Sequence, residues 1–363
     1  MNRTIKVCHF TSVHRQEDVR IFHKECASLA AAGYDTYLVT CGPQYEKFGV
    51  HMAGIGDRDL GKLGRILKTA KRVYNAAVEI DADIYHFHDP ELLPYGLKLK
   101  RKGKTVIFDC HEDIPGQIKD KEWIPGFLRK TISWFYRQYE THALKHFDAA
   151  IVAEPIIESK FKGRAKKLVL VQNFPKLDDI VFHPGSFAER EPIVCYAGGI
   201  SENRGESIMR SAMKGVNGRL VIAGDHEIKE EDNVSYVGRL DRADLNDLYG
   251  RSVVGLCVLK PIENYYYAQP TKVYEYMLAG IPYICSDFPG WRKLSEESRC
   301  GICVDPSDID GVRAAINELL NDREKAQKMG VSGHDYVLEN CTWSGEEKIL
   351  LDTYKALEPK EQA

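Results

Sequence analysis

The stretch QPTKVYEYMLAGIPYICSDFPG, residues 269–290, decides how this chain is read. Pro270 and Thr271 start a helix, Val273, Tyr274, Met277 and Leu278 give it an apolar face, and Gly280 followed by Pro282 ends it. Residues 283–286 then form a short buried strand. The pattern puts one carboxylate, Glu275, on the first turn of the helix, where free amides and the positive dipole end favour a diphosphate. Such a carboxylate can accept hydrogen bonds from both hydroxyls of a ribose, and Lys272 on the same face can meet phosphate charge. A capped surface helix with a solvated Glu and Lys fits the same residues, so the remainder of the chain has to discriminate.

At 363 residues, 44% hydrophobic and 28% charged, the composition is that of an ordinary globular protein with two domains, each able to bury a core. There is no apolar run long enough to cross a membrane, and MNRTIKVCHF enters a strand without a signal-peptide core, which predicts a cytoplasmic protein. Ten cysteines lie scattered in apolar, strand-like contexts and read as reduced core residues. Cys300 and Cys303 form one Cys-x-x-Cys, without the second pair or helix start that a metal or redox site needs. The net charge of -3 is uneven: through residue 180 there are 29 Lys and Arg against 23 Asp and Glu, and beyond it 21 against 30. An acidic half argues against a nucleic-acid partner, while a basic half admits an anionic or membrane-bound one.

Apolar strand-like runs at 5–10, 36–40, 84–88, 105–109, 149–152 and 168–171 alternate with helical stretches, and the second half repeats the style at 193–197, 219–223, 234–237, 253–258, 283–286 and 301–304. This predicts an α/β protein with two Rossmann-like, doubly wound parallel sheets whose carboxyl ends face a cleft. Residues 173–190, with Pro175, Pro184 and Gly185, read as the linker. The expected division is 1–175, 176–341 and a C-terminal segment 342–363, whose helical pattern sets Trp343, Ile349, Leu350 and Tyr354 on one apolar side.

The run Pro-x-Lys-x-x-Glu-Tyr-Met-x-x-Gly-x-Pro at 270–282 resembles the donor-binding helix of family 4 glycosyltransferases, retaining enzymes of the GT-B fold. Further fragments resemble the family in the same order: SVHRQEDVRIFHKECASLAAAGYDTYLVT (12–40), HFHDPELLP (86–94), VIFDCHED (106–113), VQNFP (171–175), YAGGISENRG (196–205), VIAGD (221–225) and YVGRLDRADLNDLYGRSVVGLCVL (236–259). The resemblance implies an acceptor-binding first domain, a nucleotide-sugar-binding second domain, and a C-terminal helix that crosses back onto the first. It also implies transfer of a hexose or N-acetylhexosamine, from a UDP-linked rather than GDP-linked donor, to a lipid-linked saccharide in surface polysaccharide assembly, with no separate cofactor. The chain departs from the family at one place: of two glutamates separated by seven residues, the first position holds Tyr267, and Glu263 lies four residues upstream of it.

Glycosyl transfer leaves negative charge on the departing phosphate, so cations belong there. Arg204 and Lys272 are the candidates, with Gly198, Gly199 and Gly205 letting the backbone approach the phosphate. By resemblance, His111 hydrogen-bonds the sugar and joins Arg204 and Lys272 as a catalytic group, while Gly238, Arg239, Tyr267, Thr271 and Glu275 bind the donor. Tyr265, Tyr266 and Tyr267 suit stacking on a sugar face or plain loop packing. His14, Asp18 and Arg20 are assigned to the acceptor, because Thr11-Ser12-Val13-His14 stands where the family often has two glycines. His86 and His88 share a strand face as metal ligands would, but no third ligand is evident at a sensible spacing, and hydrogen bonding within the segment is expected instead. Three Asp-x-Asp pairs, at 57–59, 81–83 and 308–310, read as turns or caps, so no metal is expected.

The segment WIPGFLRKTISWFYRQYETHALKHF, from Trp123 through Phe147, interleaves aromatic and basic residues, and KLKRKGK (98–104) adds charge. It suits peripheral contact with an anionic bilayer, on the inner face of the membrane, or a core helix with a solvated face. Two other functions compete with catalysis of sugar transfer. A nicotinamide-dependent oxidoreductase needs Gly-x-Gly-x-x-Gly after its first strand, where this chain has His9-Phe10-Thr11-Ser12-Val13-His14. A non-catalytic nucleotide-sugar-binding subunit fits the absent first glutamate.

Overall fold

The structure, a computed structural model, describes residues 3–59, 61–121, 124–262 and 265–359. The chain divides into two compact units, 1–173 with 344–363, and 174–343.

The first unit holds eight strands: β1 (Lys6–Phe10), β2 (Asp35–Thr40), β3 (Tyr45–Lys47), β4 (Val50–Gly54), β5 (Ile84–Phe87), β6 (Thr105–Cys110), β7 (Ala149–Val152) and β8 (Leu168–Leu170). Their order is β3-β4-β2-β1-β5-β6-β7-β8, parallel throughout except for the β3–β4 pair at the edge. The central strands are apolar runs because helices cover both faces, and Phe10, Phe87, Phe108 and Phe147 pack in one core there. The chain winds outward from β1 on one side and then from β5 on the other, so strand order reverses between β1 and β5.

The second unit has β9 (Ile193–Ala197), β10 (Arg219–Ala223), β11 (Lys229–Glu231), β12 (Val234–Gly238), β13 (Ser252–Cys257), β14 (Tyr283–Ser286) and β15 (Gly301–Val304). Their order, β11-β12-β10-β9-β13-β14-β15, reverses between β9 and β13, and β11 alone runs antiparallel. Strands β3, β4 and β11 fall outside the runs expected from sequence. β3 and β11 are short charged edge strands, which carry no apolar run to detect.

Residues 173–190 are less of a linker than their Pro and Gly content predicts, because Phe174, Ile180 and Phe187 are buried in the core of the second unit. The C-terminal helix Trp343–Leu357 buries Leu350 and Tyr354, whereas Ile349, expected on the same side, is exposed. Tyr354 lies in the first unit, where its hydroxyl is 2.7 Å from His86 Nδ1 and 2.9 Å from His9 Nε2. The ten cysteines are all free; within the Cys-x-x-Cys, the Cys300 thiol donates to Ile281 O and Cys303 lies 3.7 Å from Cys285, so the two serve different neighbours. No helix among the described residues is long and apolar enough to cross a membrane.

Arg20 corrects the sequence assignment. It is only 4% exposed, with Nε and Nη2 each 3.1 Å from the Asp109 carboxylate and Nη1 2.7 Å from Val171 O. Its charge is spent inside the first unit, on a buried partner at the end of β6, rather than held out for an acceptor. A buried pair of this kind is costly to break because the survivor keeps an uncompensated charge. Arg20→Ala should therefore lower stability by about 3–5 kcal/mol in denaturant unfolding. A loss below about 1 kcal/mol would mean that the pair does not hold the unit together.

Candidate functional site

In an open doubly wound sheet, the crevice outside the carboxyl ends of the strands opens where strand order reverses. In the second unit that point lies between β9 and β13. The loop after β9 begins at Gly198 and turns through Arg204 to Gly205, which starts the helix Glu206–Met213. Gly205 has φ +80°, and a Cβ there would lie 1.8 Å from Val258 O, so the loop after β9 is pressed against the chain leaving β13. The Lys260 amide donates to Asn203 O at 3.1 Å, tying the same two segments. The neighbouring strand ends join the arrangement: the Gly198 amide bonds Ala223 O at 2.9 Å and the Gly224 amide bonds Gly238 O at 2.8 Å.

Lys272 and Arg204 converge on this loop from different elements. A Cβ on Gly198 would meet Lys272 Cε at 3.5 Å, and one on Gly199 would meet Arg204 Nη1 at 2.7 Å. Arg204 Nη1 and the Tyr196 hydroxyl donate to the same carbonyl, Gly199 O, at 3.0 and 2.8 Å. Lys272 Nζ stands 4.7 Å from the centre of the Tyr196 ring. Burial raises the Tyr196 hydroxyl above its ordinary pKa, with Lys272 and Arg204 pulling it back. Both cations are therefore close to one tyrosine at the end of β9, held by a ring and a carbonyl.

The helix that carries Lys272 runs Thr271–Ala279 and stops at Gly280 as the sequence predicts. It places Glu275 on its second turn, not its first, because Pro270 caps the helix without entering it. The free amides therefore lie beside Thr271 and Lys272, and Glu275 is held by side chains instead. Glu275 Oε2 accepts from the Tyr249 hydroxyl at 3.0 Å, and Oε1 accepts from Arg242 Nη1 at 3.3 Å. Burial, then the Glu275 charge, push the Tyr249 hydroxyl well above its usual pKa. A carboxylate has about four acceptor positions, so two partners leave capacity for further donors. Arg242 and Tyr249 were not singled out from sequence, although they lie two turns apart on one face of the helix Arg242–Arg251.

The other expected donor residues spread more widely. Gly238 is buried at the end of β12, Arg239 beside it is exposed, Thr271 is exposed at the helix start, and the Tyr267 side chain is half exposed. Tyr266 packs on Phe288, and both Tyr265 and Tyr266 lie against the core of the second unit. Glu263 lies outside the described residues.

In the first unit the expected residues meet at the ends of β5 and β6. His111 Nε2 is 3.0 Å from Asp109 Oδ2 and 3.3 Å from His88 Nδ1, and the His14 ring lies 5.2 Å from that of His111. Asp18 caps the following helical turn, accepting from the Arg20 and Ile21 amides at 2.9 and 3.0 Å, and its other oxygen is 3.3 Å from His14 Nδ1. Burial pushes Asp18 up, but the hydrogen bond with His14 and the Ile21 amide outweigh it and hold the carboxyl low. For His14, burial is outweighed by Asp18 and Asp89, so its pKa is raised. The loop at 11–14 wraps an internal carboxylate: Thr11 Oγ1 and the Ser12 and Val13 amides reach Asp89 Oδ2 at 2.8, 2.5 and 3.3 Å. Those amides are engaged with Asp89, which agrees with a loop that lacks the glycines of a phosphate cradle.

Comparison with known proteins gives a concordant picture. The model for Glycosyltransferase Family 4 matches residues 19–174, and that for Glycosyl transferases group 1 matches residues 179–335. A GDP-mannose-dependent alpha-(1-6)-phosphatidylinositol monomannoside mannosyltransferase of Mycobacterium tuberculosis is 33% identical over 69 residues, 19% of this chain and 18% of that protein. The matched region thus spans about a fifth of the curated relatives' length. Among solved structures, sucrose-phosphate synthase from Thermosynechococcus elongatus superposes with a TM-score of 0.77 at 18% identity, over 97% of this chain and 99% of that one. Anabaena Alr3699/HepE in complex with UDP and glucose gives 0.73 at 12% identity, over 97% and 100%. These likenesses identify the GT-B fold. With its two halves matched in order by the two models, the chain belongs to glycosyltransferase family 4.

Proposed function

We propose that this protein transfers a hexose or N-acetylhexosamine from a nucleotide diphosphate sugar to a saccharide acceptor, with retention at the anomeric carbon. The observation that carries the reading is the convergence of Lys272 and Arg204 on the Gly198–Gly199 turn, with Glu275 three residues beyond Lys272 on the same helix. As the glycosyl bond breaks, negative charge grows on the departing phosphate oxygen, and two fixed cations at a glycine turn stabilise it without reorganisation. Glu275, anchored by Tyr249 and Arg242, accepts from the ribose hydroxyls. His111, oriented by Asp109, hydrogen-bonds the transferred sugar. No carboxylate nucleophile is assigned, so the acceptor attacks from the face of the leaving group and the phosphate oxygen takes its proton. Neither this step nor donor binding uses a metal in our reading.

The donor is proposed to be UDP-linked, in keeping with the UDP and glucose complex of a GT-B neighbour, although the curated relatives matched over 69 residues are named for GDP-mannose. Thermal-shift measurements with UDP, GDP and their sugars test this choice, with the largest rise expected for the UDP series. Glu275→Ala should weaken nucleotide binding by about 1.5–3 kcal/mol, the range for a hydrogen bond to a charged group. Unchanged affinity in calorimetry would remove the ribose assignment. Tyr267 in place of the family's first glutamate supports a second reading, a nucleotide-sugar-binding subunit without catalysis. Hydrolysis or transfer over a panel of nucleotide sugars separates the two, since a binding subunit would shift in melting temperature and turn nothing over.

The acceptor is proposed to be lipid-linked, in surface polysaccharide assembly, with the protein cytoplasmic and peripheral on the inner membrane face. The helix Gly126–Leu144 supports this: Leu128, Ile132, Phe135 and Tyr139 form an exposed stripe beside Phe127 and Trp134, while Ser133 and Glu140 face inward. The same helix packs on the core through Tyr136, Ala143 and Leu144, so the core reading describes its inner side and the membrane reading its exposed aromatic rings. Trp123, at the start of that segment, lies outside the described residues. Flotation with anionic vesicles at low salt should carry the protein upward, and a triple change of Phe127, Trp134 and Phe135 to Ser should abolish it. Absence of flotation by the unaltered protein would remove the membrane contact.

A further inference from the structure

Strand order in the first unit reverses between β1 and β5, and four buried side chains with metal-ligating atoms meet there. His9 lies on β1 and pairs in register with His86 on β5; His88 follows β5, and Glu25 comes from the helical turn Ile21–Cys26. All four are fully buried or nearly so, and one ligating atom from each lies within 4.8 Å of the others. His9 Nδ1 is 3.0 Å from His88 Nε2, and Glu25 Oε2 is 3.9 and 4.0 Å from these two nitrogens. Four ligands at metal bonds of about 2.0–2.1 Å in a tetrahedron are separated by about 3.3 Å, close to these spacings.

The atoms pointing away from this centre are occupied; of those facing it, His9 Nδ1 and His88 Nε2 meet only each other, and His86 Nε2 and Glu25 Oε2 have no hydrogen-bond partner. The Tyr354 hydroxyl engages His86 Nδ1 and His9 Nε2, and Asp109 Oδ2 lies 3.4 Å from His88 Nδ1. This fixes which nitrogen each ring presents inward, as the supporting groups around a metal site do. His86 Nε2 has no hydrogen-bond partner, nor does either oxygen of Glu25, although Oε1 lies 3.0 Å from Arg20 Nε, which is directed at Asp109. Buried polar atoms of this kind are rare in folded proteins and call for an explanation. A hydrogen-bonded histidine network alone satisfies His9 and His88, and Arg20 meets Glu25 Oε1, but Glu25 Oε2 and His86 Nε2 are left without hydrogen-bond partners.

We propose that His9, Glu25, His86 and His88 bind one divalent first-row cation, with zinc the best match to three imidazoles and a carboxylate. The site is closed: four protein ligands, all buried, leave no position for substrate or water, so the ion is structural. Binding would require Glu25 ionised and the Tyr354 oxygen accepting from both His9 Nε2–H and His86 Nδ1–H, so protons are released as the ion enters. The sequence expectation of hydrogen bonding rather than metal binding at His86 and His88 rested on the lack of a further ligand at a sensible spacing; His9 and Glu25 supply it from 61 to 79 positions away in the chain. Asp109 and His111 stay outside the coordination sphere, since Asp109 is already committed to Arg20.

The test uses the full chain, stripped with a chelator, dialysed, and titrated with Co²⁺ alone. The expected result is one equivalent bound, with the strong visible bands of tetrahedral cobalt, no thiolate charge-transfer bands, and displacement by Zn²⁺ with a melting temperature raised by several degrees. Glu25→Gln and His86→Gln should each remove the bands. Should these core variants fail to fold, the unaltered protein decides: no visible bands and no melting shift with Co²⁺ or Zn²⁺ overturns the proposal. Thiolate bands, or bands that survive in folded variants, place the ion elsewhere and overturn it equally.

Discussion

Reversal of strand order is the constraint on which both units are built. A parallel sheet must send each connection over one of its faces, and when winding changes direction beside a central strand the two flanking connections leave on opposite sides. Neither flanking connection then crosses the carboxyl ends of that strand pair. In the first unit these strands are β1 and β5, and their ends collect His9, His86 and His88. In the second they are β9 and β13, and the gap receives the glycine turn, Arg204 and, from the helix leading to β14, Lys272. The same topology yields two different chemistries because the residues at the strand ends differ.

The two units also treat charge differently. The first buries it: Arg20 and Asp109 neutralise each other, Asp89 is wrapped by amides, and burial drives the His88 imidazole down to about 4. Burial and the neighbouring Asp109 push the Glu25 carboxyl up, against the pull of Arg20. Such a network fixes geometry at the expense of desolvation. The second keeps its cations near solvent, against a carbonyl and a ring, so that little has to be displaced for an anion to reach them. Where a group must meet a ligand, partial exposure is the more useful state.

Most of the fold was legible because parallel strands buried on both faces leave apolar runs, and all twelve runs read from sequence end within one residue of a strand end. What escaped was set by distance along the chain. The burial of Arg20 depends on Asp109, and a guanidinium in the first loop carries no local sign of that partner. Glu275 was visible from its helix, but Arg242 and Tyr249, which hold it, come from another element. The histidine cluster is the extreme case, since its supporting hydroxyl belongs to Tyr354, near the other end of the chain. For the helix Gly126–Leu144, periodicity revealed two faces but not which residues turn inward; those buried are Ser133, which donates to Pro115 O, Glu140, paired with Arg164 at 2.7 Å, and Ala143 and Leu144.

The discontinuity of the first unit bears on how the polypeptide is born. Residues 344–363 close a unit whose other members are translated first, and Tyr354 completes the contacts of two imidazoles made hundreds of codons earlier. A ribosome therefore finishes the uninterrupted second unit while the first still lacks its closing helix, so the unit that begins synthesis is the one that matures last, the reverse of the usual order for nascent domains.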